Sequence, residues 1–184
     1  MKLLVYGSLE FGRVLRNVLV SCDHEFAGFI DDVHTGEEVI GTYASVASDY
    51  PPSLYGIVIG VGYRNLKARW DIYQKVVSDG YRVPHLIHGR SYVGAVDSVG
   101  RGAVIMVGAI VDVTACVRDL AVLWPGSVVN HDSEVGENTF LSPNSTVCGV
   151  VKIGRNCFVG AGAVIVDHRT VPDGSFIKAG EVYA

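Results

Sequence analysis

The sequence predicts a Rossmann-like α/β domain over residues 1–84, followed by a parallel β-helix over residues 85–184. Two patterns predict this fold class. In the first part, apolar runs of strand length alternate with stretches of helical periodicity. In the second part, an aliphatic side chain recurs every six positions. The 184 residues are 49% hydrophobic and 18% charged and include 22 glycines, as expected of a folded protein with many turns.

The first part of the chain contains the elements of a small parallel sheet. Strands are predicted at residues 2–6, 26–30, 56–61 and 82–87, and helices at residues 12–20 and 65–78. In such a sheet, ligands bind beyond the carboxyl ends of the strands. The residues expected at that edge are Gly7, Asp31, Asp32, Gly60 and Gly62.

The first predicted strand leads into a glycine loop at residues 7–12, with the sequence Gly-Ser-Leu-Glu-Phe-Gly. The loop lacks the middle glycine of the dinucleotide fingerprint, so an NAD-dependent enzyme is not expected. Two interpretations stay open, a phosphate site at a helix N-terminus and a plain strand-to-helix turn, because the charge of Glu10 would repel a phosphate. Asp31 and Asp32 likewise suit either hydrogen bonds to a base or ribose or a solvated loop.

The repeat in the second part begins at Val93. Val, Ile or Leu occupies every sixth position from 93 to 177, fifteen positions in all, although only 28 of the 90 residues from 93 to 182 are of these types. The residue four positions after each of these anchors is mostly small. One large and one small inward side chain per unit suit a short strand and a tight corner, so three units would close a triangular coil. This periodicity predicts about five coils, about 4.8 Å apart.

A histidine in the repeat is the main candidate for chemistry. In residues 129–134 the inward side chains are those of Val129 and Ser133, so His131 is expected to project outward at a corner. Gly149 follows three hexapeptides later, one coil further along. An exposed imidazole beside a backbone N–H suits acyl transfer. The alternative is a surface histidine on a turn.

Composition and charge exclude several classes of function. The net charge of −4 gives no reason to expect nucleic acid or an anionic membrane as a partner. No apolar run approaches the roughly 20 residues of a membrane span. The four cysteines have no paired spacing, which indicates reduced thiols and a cytoplasmic location. A γ-type carbonic anhydrase would need three histidines for zinc, whereas the repeat offers only His131 and His168, so no metal is expected.

Motifs in both parts of the chain resemble the PglD/NeuD-like family of bacterial nucleotide-sugar N-acetyltransferases. The resemblance covers nearly the whole chain. The matching residues are Tyr6-Gly7-Ser8 with Gly12, Phe29-Ile30-Asp31-Asp32, Ile59-Gly60, Val129-Asn130-His131-Asp132, Cys148-Gly149, Val151-Lys152-Ile153-Gly154 and Phe158-Val159-Gly160-Ala161-Gly162-Ala163. The hexapeptide matches alone are generic, but the Asp-Asp strand end and the Asn-His-Asp corner together are fairly specific.

The resemblance implies a left-handed β-helix and a homotrimer with active sites between neighbouring prisms. It implies acetyl-CoA as co-substrate, without a metal, and an acceptor amine on a nucleotide-linked 4-amino-4,6-dideoxy sugar that attacks the thioester directly. His131 would be the general base, Asp132 would orient it, and the Gly149 N–H would stabilise the oxyanion. The other implied contacts are Gly7, Ser8, Gly12, Asp31, Asp32 and Gly60 for the nucleotide sugar, and Gly149, Gly160 and Ala161 for the cofactor.

The chain departs from the family at several positions. Relatives often have glycine and histidine in place of Glu10 and Phe11, asparagine in place of Trp124 and histidine in place of Phe140, and residues 180–184 lack the usual Val-Gly-x-Pro-Ala tail. Two other functions therefore stay open, an O-acetyltransferase acting on a sugar and a nucleotide-sugar-binding trimer without activity. The sequence does not distinguish the nucleotide, the sugar or the acyl group.

Overall fold

The computed structural model describes residues 1–184, which form two compact units, Met1–Pro84 and His85–Ala184. The first unit contains, in chain order, β1 (Lys2–Tyr6), α1 (Glu10–Ser21), β2 (Glu25–Ile30), β3 (Val39–Gly41), α2 (Tyr43–Val46), β4 (Tyr55–Ile59), a 3-10 turn (Tyr63–Asn65) and α3 (Leu66–Ser78). No helix of the chain combines the length and the apolar character that a membrane span requires.

The four strands of the first unit form one parallel sheet in the order β3-β2-β1-β4. Tyr6 is in register with Ile30 on one side and with Ile59 on the other, so β1, β2 and β4 end at the same edge. Helix α1 packs against β1 and β2. Its Leu15 and Leu19 are four residues apart, on one helical face, and both are fully buried.

The strand predicted at residues 82–87 is wrong. Arg82 makes only an isolated bridge to the sheet, and Leu86–Ile87 pairs instead with Val104–Ile105 in the second unit. Pro84 has no N–H to donate to a ladder, which favours ending the first sheet here. The second residue of this strand precedes Val93 by six positions, so the hexapeptide repeat begins one unit earlier than predicted.

The second unit is a stack of two-residue parallel strands in three sheets. Sheet one contains β5 (Leu86–Ile87), β7 (Val104–Ile105), β10 (Val122–Leu123), β13 (Phe140–Leu141), β16 (Phe158–Val159) and β19 (Phe176–Ile177). Sheet two contains β6 (Tyr92–Val93), β8 (Ile110–Val111), β11 (Val128–Val129), β14 (Thr146–Val147), β17 (Val164–Ile165) and β20 (Val182–Tyr183). Sheet three contains β9 (Cys116–Val117), β12 (Glu134–Val135), β15 (Lys152–Ile153) and β18 (Thr170–Val171), with a bridge from Val99 to Val117. Partners in every pair are separated by three hexapeptides, which confirms the parallel β-helix and fits its left-handed form.

The interior of the β-helix is a column of aliphatic side chains. Every anchor from Val99 to Ile177 is buried. Buried hydroxyls occupy four of the small positions and donate to backbone carbonyls. Those of Ser127 and Ser145 donate within their own coil, whereas Ser133 Oγ donates to Cys148 O at 2.7 Å and Thr139 Oγ1 donates to Gly154 O at 2.9 Å, both on the next coil. An unsatisfied buried hydroxyl would cost about 1–3 kcal/mol, so these bonds let polar side chains lie in the core.

A left-handed backbone conformation recurs at the corners. Thirteen residues between 102 and 180, at intervals that are multiples of six, have φ between +57° and +72°. Ten of the thirteen are Gly, Asn or Asp, the residues that adopt this conformation most readily. The exceptions are Leu120, Val150 and His168. Leu120 is fully buried, whereas Val150 and His168 are exposed and lie on the same corner in successive coils.

Candidate active site

His131 lies on the corner between sheets two and three, two residues after β11. Its side chain is 58% exposed and projects into solvent. The N–H of Val150 donates to the carbonyl oxygen of His131 at 3.0 Å, and the N–H of Asp132 donates to Thr114 Oγ1 at 2.9 Å. Because these partners belong to the following and the preceding coil, the backbone that carries the imidazole is held from both sides.

Asp132 is hydrogen-bonded to the ring of His131, with Oδ2 2.9 Å from Nδ1. An ionised carboxylate only accepts, so this contact favours the tautomer that carries its proton on Nδ1 and leaves the lone pair on Nε2. The contacts with His131 and then with Thr114 hold the pKa of Asp132 below its usual value. The carboxylate is therefore charged at neutral pH, and the tautomer that it favours offers the Nε2 lone pair that a general base uses.

Gly149 lies directly beneath the imidazole, one coil further along the stack. A Cβ built on Gly149 would be 2.6 Å from both Cε1 and Nε2 of His131, so only glycine leaves room for the ring in this position. The carbonyl oxygen of Gly149 accepts from the N–H of His168 at 3.1 Å. Its own N–H makes no hydrogen bond within the chain and is available to a ligand.

Two other corner residues show what an N–H at the position of Gly149 can bind. Arg101 and Arg155 also stand two residues after an anchor, and their N–H groups donate to Oδ1 of Asp119 and Asp173 at 2.8 and 2.9 Å. In both cases the acceptor is a negatively charged oxygen on the next coil. The same backbone position at Gly149 is therefore suited to an oxyanion supplied by a substrate.

Gly7, Gly12 and Gly60 lie against one another where β1 leads into α1. A Cβ on Gly12 would be 1.9 Å from the carbonyl oxygen of Gly7, and a Cβ on Gly60 would be 2.8 Å from the same atom. Gly7 has φ of +109°, and its N–H donates to the oxygen of Ile30 at 2.8 Å. These glycines are thus required for the close approach of the helix to the sheet. This role favours the interpretation of the loop as a strand-to-helix turn.

Asp31 ties the loops at the sheet edge together. Its Oδ2 accepts from the N–H and hydroxyl of Ser8 at 2.9 and 2.6 Å, and its Oδ1 accepts from the N–H groups of Val33 and His34 at 3.0 and 2.8 Å. Burial raises the pKa of Asp31, but these hydrogen bonds outweigh it, so the pKa lies well below its usual range. The structure leaves this carboxylate no spare lone pair for a ligand.

Asp32 is exposed, unlike Asp31. Its Oδ2 accepts from the hydroxyl of Tyr6, and its Oδ1 accepts from the N–H of Tyr43 at 2.7 Å. A carboxylate has about four acceptor sites, so each oxygen of Asp32 keeps one for a ligand. Of the two aspartates, Asp32 is the one whose geometry suits direct recognition.

The residues implied for cofactor binding lie on two different corners. Gly149 is on the corner that follows sheet two, whereas Gly160 and Ala161 are on the corner that precedes it. A Cβ on Gly160 would be 2.4 Å from the backbone nitrogen of Ala179, so this glycine permits close stacking of the next coil. Ala161 is exposed. A single chain therefore does not bring all three residues together.

Comparison with known proteins gives matches over the repeat and over the whole chain. The bacterial transferase hexapeptide model (six repeats) matches residues 132–167. The acetyltransferase domain of PglB from Neisseria gonorrhoeae is 27% identical, with a TM-score of 0.91 over 100% of this chain and 91% of that domain. A mutant perosamine N-acetyltransferase from Caulobacter crescentus, in complex with CoA and GDP-perosamine, is 23% identical, with a TM-score of 0.79 over 97% of this chain and 93% of its own. Among curated proteins, no sequence matches.

The predicted hexapeptide-repeat acyltransferase is confirmed. So is the resemblance to PglD-like sugar N-acetyltransferases, because the match to the PglB domain spans both units of the chain. In this acyltransferase no group of three or more His, Cys, Asp or Glu side chains is placed to hold a metal ion.

Sequence reasoning missed the residues that support the corner of His131. Thr114 lies one coil before Asp132 and accepts its N–H, and Val150 donates to the oxygen of His131. Counting three hexapeptides in either direction would have identified both. Sequence reasoning also missed that Phe140, where relatives often have histidine, is only 1% exposed and lies in sheet one between Val122 and Phe158.

Proposed function

We propose that the chain transfers the acetyl group of acetyl-CoA to the amine of a nucleotide-linked 4-amino-4,6-dideoxy sugar. In this proposal residues 1–84 bind the nucleotide sugar and residues 85–184 carry the chemistry. The observation that supports it most directly is the corner at which an outward imidazole, a charged carboxylate and an available backbone N–H meet in His131, Asp132 and Gly149.

His131 would act as the general base. With Nδ1 held by Asp132, Nε2 lies on the side of Gly149 and takes a proton from the amine as the nitrogen attacks the thioester carbon. Asp132 stabilises the imidazolium that forms, because the carboxylate is charged at neutral pH. A placed general base contributes about 10²–10⁴-fold to the rate. The attack is direct, so no acyl-enzyme is formed.

The N–H of Gly149 would hold the oxygen of the thioester as it gains negative charge. One such donor is worth about 2.7–4 kcal/mol, or about 10²–10³-fold. Alignment of the bound amine with the thioester supplies much of the remaining acceleration. Because Gly149 and His131 are neighbours on one corner, the base can act on the attacking amine while the N–H holds the oxygen of the same thioester.

The nucleotide sugar would lie at the carboxyl edge of the parallel sheet. Ligands of parallel sheets bind there, and Gly7, Gly12 and Gly60 would shape this edge by letting the start of α1 lie close to the sheet. Asp32 offers two acceptor sites to hydroxyl or N–H donors of the nucleotide, whereas Asp31 and Ser8 would shape the edge without contacting the ligand. This division of roles refines what the resemblance implies for the two aspartates.

A homotrimer would complete the cofactor site. The outward residues of sheet two are apolar except for Thr146 and are half-buried or exposed. Among them Tyr92, Ile110 and Val182 are 54%, 41% and 62% exposed. The corners of Gly149 and Gly160 flank this sheet on opposite sides. If three copies turn sheet two toward a common axis, the Gly149 corner of one copy meets the Gly160 corner of the next, and acetyl-CoA binds between them.

The proposal is tested by incubating the purified chain with acetyl-CoA and a panel of UDP-, GDP- and dTDP-linked 4-amino sugars, while the free thiol is followed. We expect one donor–acceptor pair to release thiol and to give a base-stable amide. His131→Ala should then lose at least about 100-fold in kcat/KM, whereas His24→Ala, at a histidine of the first unit, should not.

The product and the variant separate the candidate functions. A base-labile ester would indicate O-acetylation, and nucleotide-sugar binding without thiol release would indicate a binding protein. Unchanged turnover of His131→Ala would remove this residue from the mechanism. The trimer is tested by sedimentation of Ile110→Glu, which should yield monomers, against Thr170→Glu on sheet three, where exposed polar residues already lie.

A further inference from the structure

A second pair of imidazole and carboxylate side chains lies on the corner of His131. Asp167 lies two coils after His131, with Gly149 midway between them, so the three occupy one column over successive coils. The next residue, His168, is 69% exposed, and its Nε2 lies 3.8 Å from Oδ2 of Asp167. The catalytic steps described above make no use of this pair.

His168 stands where the fold favours another residue type. Its φ is +57°, a conformation that Gly, Asn or Asp adopts at ten of the thirteen such corner positions. For other residues this conformation costs about 1–2 kcal/mol. Local strain of this kind is often retained where a side chain has a function. The N–H of His168 donates to the oxygen of Gly149 at 3.1 Å, so the ring is carried by the backbone next to the oxyanion donor.

The chemistry of thioester aminolysis provides a use for an acid at this place. The amine approaches from the coil of His131, and the carbonyl oxygen is held at Gly149. In the tetrahedral intermediate the sulfur occupies a different corner from the nitrogen and the oxygen. A thioester aligned with this column has its sulfur on the side of the next coil, about 4.8 Å further along the stack. The side chains exposed on that coil, at that corner, are those of Asp167, His168 and Arg169. Of the three, the imidazole is the one suited to donate a proton near neutral pH, because a guanidinium keeps its protons and a carboxylate only accepts.

We propose that His168 is the general acid that protonates the departing thiolate, and that Asp167 places a negative charge beside its ring. The inference rests on the proposed acetyl transfer. As the C–N bond forms, the amine proton passes to Nε2 of His131; as the C–S bond breaks, its electron pair goes to sulfur, which takes the proton of the imidazolium of His168. The products are the amide and the free thiol, and both exposed rings then exchange protons with solvent.

The test compares two acyl donors on the full chain with the same acceptor. One is acetyl-CoA, whose thiolate is basic, and the other is an acetyl ester of an electron-poor aryl thiol, whose thiolate leaves without an acid. His168→Asn removes the imidazole and places at φ +57° a residue that fits this conformation, so the fold is preserved. We expect kcat/KM to fall about 100-fold with acetyl-CoA and less than about threefold with the aryl thioester.

Two controls make the outcome specific. Gly174→Asn, at a corner residue with φ +71° and no atom within 4 Å of an added Cβ, should change neither rate. His131→Ala should slow both donors alike, because the amine must lose its proton in either case. Equal losses with the two donors for His168→Asn, or no loss at all, would overturn the assignment. Absence of acetyl transfer by the wild-type chain would instead overturn the proposed function.

Discussion

Replacing Gly149 by alanine tests whether the position of the imidazole matters, without touching the imidazole itself. The added Cβ would lie 2.6 Å from Cε1 and Nε2 of His131, whereas ordinary contacts begin at 3.4 Å. The ring must therefore shift by about 1 Å, which is enough to cost about 100-fold in a positioned reaction. This loss corresponds to about 2.7 kcal/mol of transition-state stabilisation. The N–H of residue 149 remains in place, so the effect reports on the base rather than on the oxyanion donor.

The assay is kcat/KM from thiol release, measured together with thermal unfolding. The φ of Gly149 is not in the left-handed region, so alanine should leave the free energy of unfolding within about 0.5 kcal/mol of the wild type. Gly89→Ala is the matched control, because an added Cβ there meets no atom within 4 Å. A Gly149→Ala protein with wild-type kcat/KM would refute the reasoning that places the His131 ring over this glycine during catalysis.

Three further outcomes are expected. Asp132→Asn should lower kcat by about tenfold to 100-fold with KM for acetyl-CoA unchanged, because the neutral amide no longer stabilises the imidazolium of His131; equal kcat values would contradict the pairing. Asp31→Asn should destabilise the first unit by about 2–3 kcal/mol in urea unfolding at pH 7. Since the folded pKa of Asp31 is depressed, its stabilising effect should be complete above pH of about 4 and lost as the pH falls below it, so the two proteins should converge in acid. Val150→Asn should raise the free energy of unfolding by about 1 kcal/mol in urea titrations, because it relieves a β-branched residue at φ +60°, and no gain would mean that packing outweighs the strain.

The β-helix could be predicted from the sequence because its inward-facing side chains recur at a fixed interval. A single aliphatic position every six residues determines which side chain points inward, and the same count places His131 on a corner and Gly149 beneath it. The start of the repeat could not be predicted in this way, since residues 82–87 could form a strand in either unit. Only Pro84 marks the boundary between the units, and the missing N–H of a proline is a weak signal beside strand-forming side chains.

The first unit was less predictable because its details depend on contacts between segments distant in the chain. Strand β3 and helix α2 are only three and four residues long, too short to show a periodicity in the sequence, and α1 begins at Glu10 instead of residue 12. The contrast between Asp31 and Asp32 is of the same kind. They are neighbours of identical type, yet Asp31 accepts hydrogen bonds from Ser8, Val33 and His34, whereas Asp32 is exposed. This difference arises only when the loops fold.

The hydrogen bonds between coils let this fold tolerate the insertion or deletion of whole coils along the stack. Each coil contacts only its neighbours, so stability adds up along the stack and is not concentrated in a single centre. Loss or gain of a whole coil would keep every side chain on its own face, whereas loss or gain of a single hexapeptide would rotate the chain by one face. Duplication of a coil can thus place a second copy of an outward side chain on the same corner, already facing the solvent.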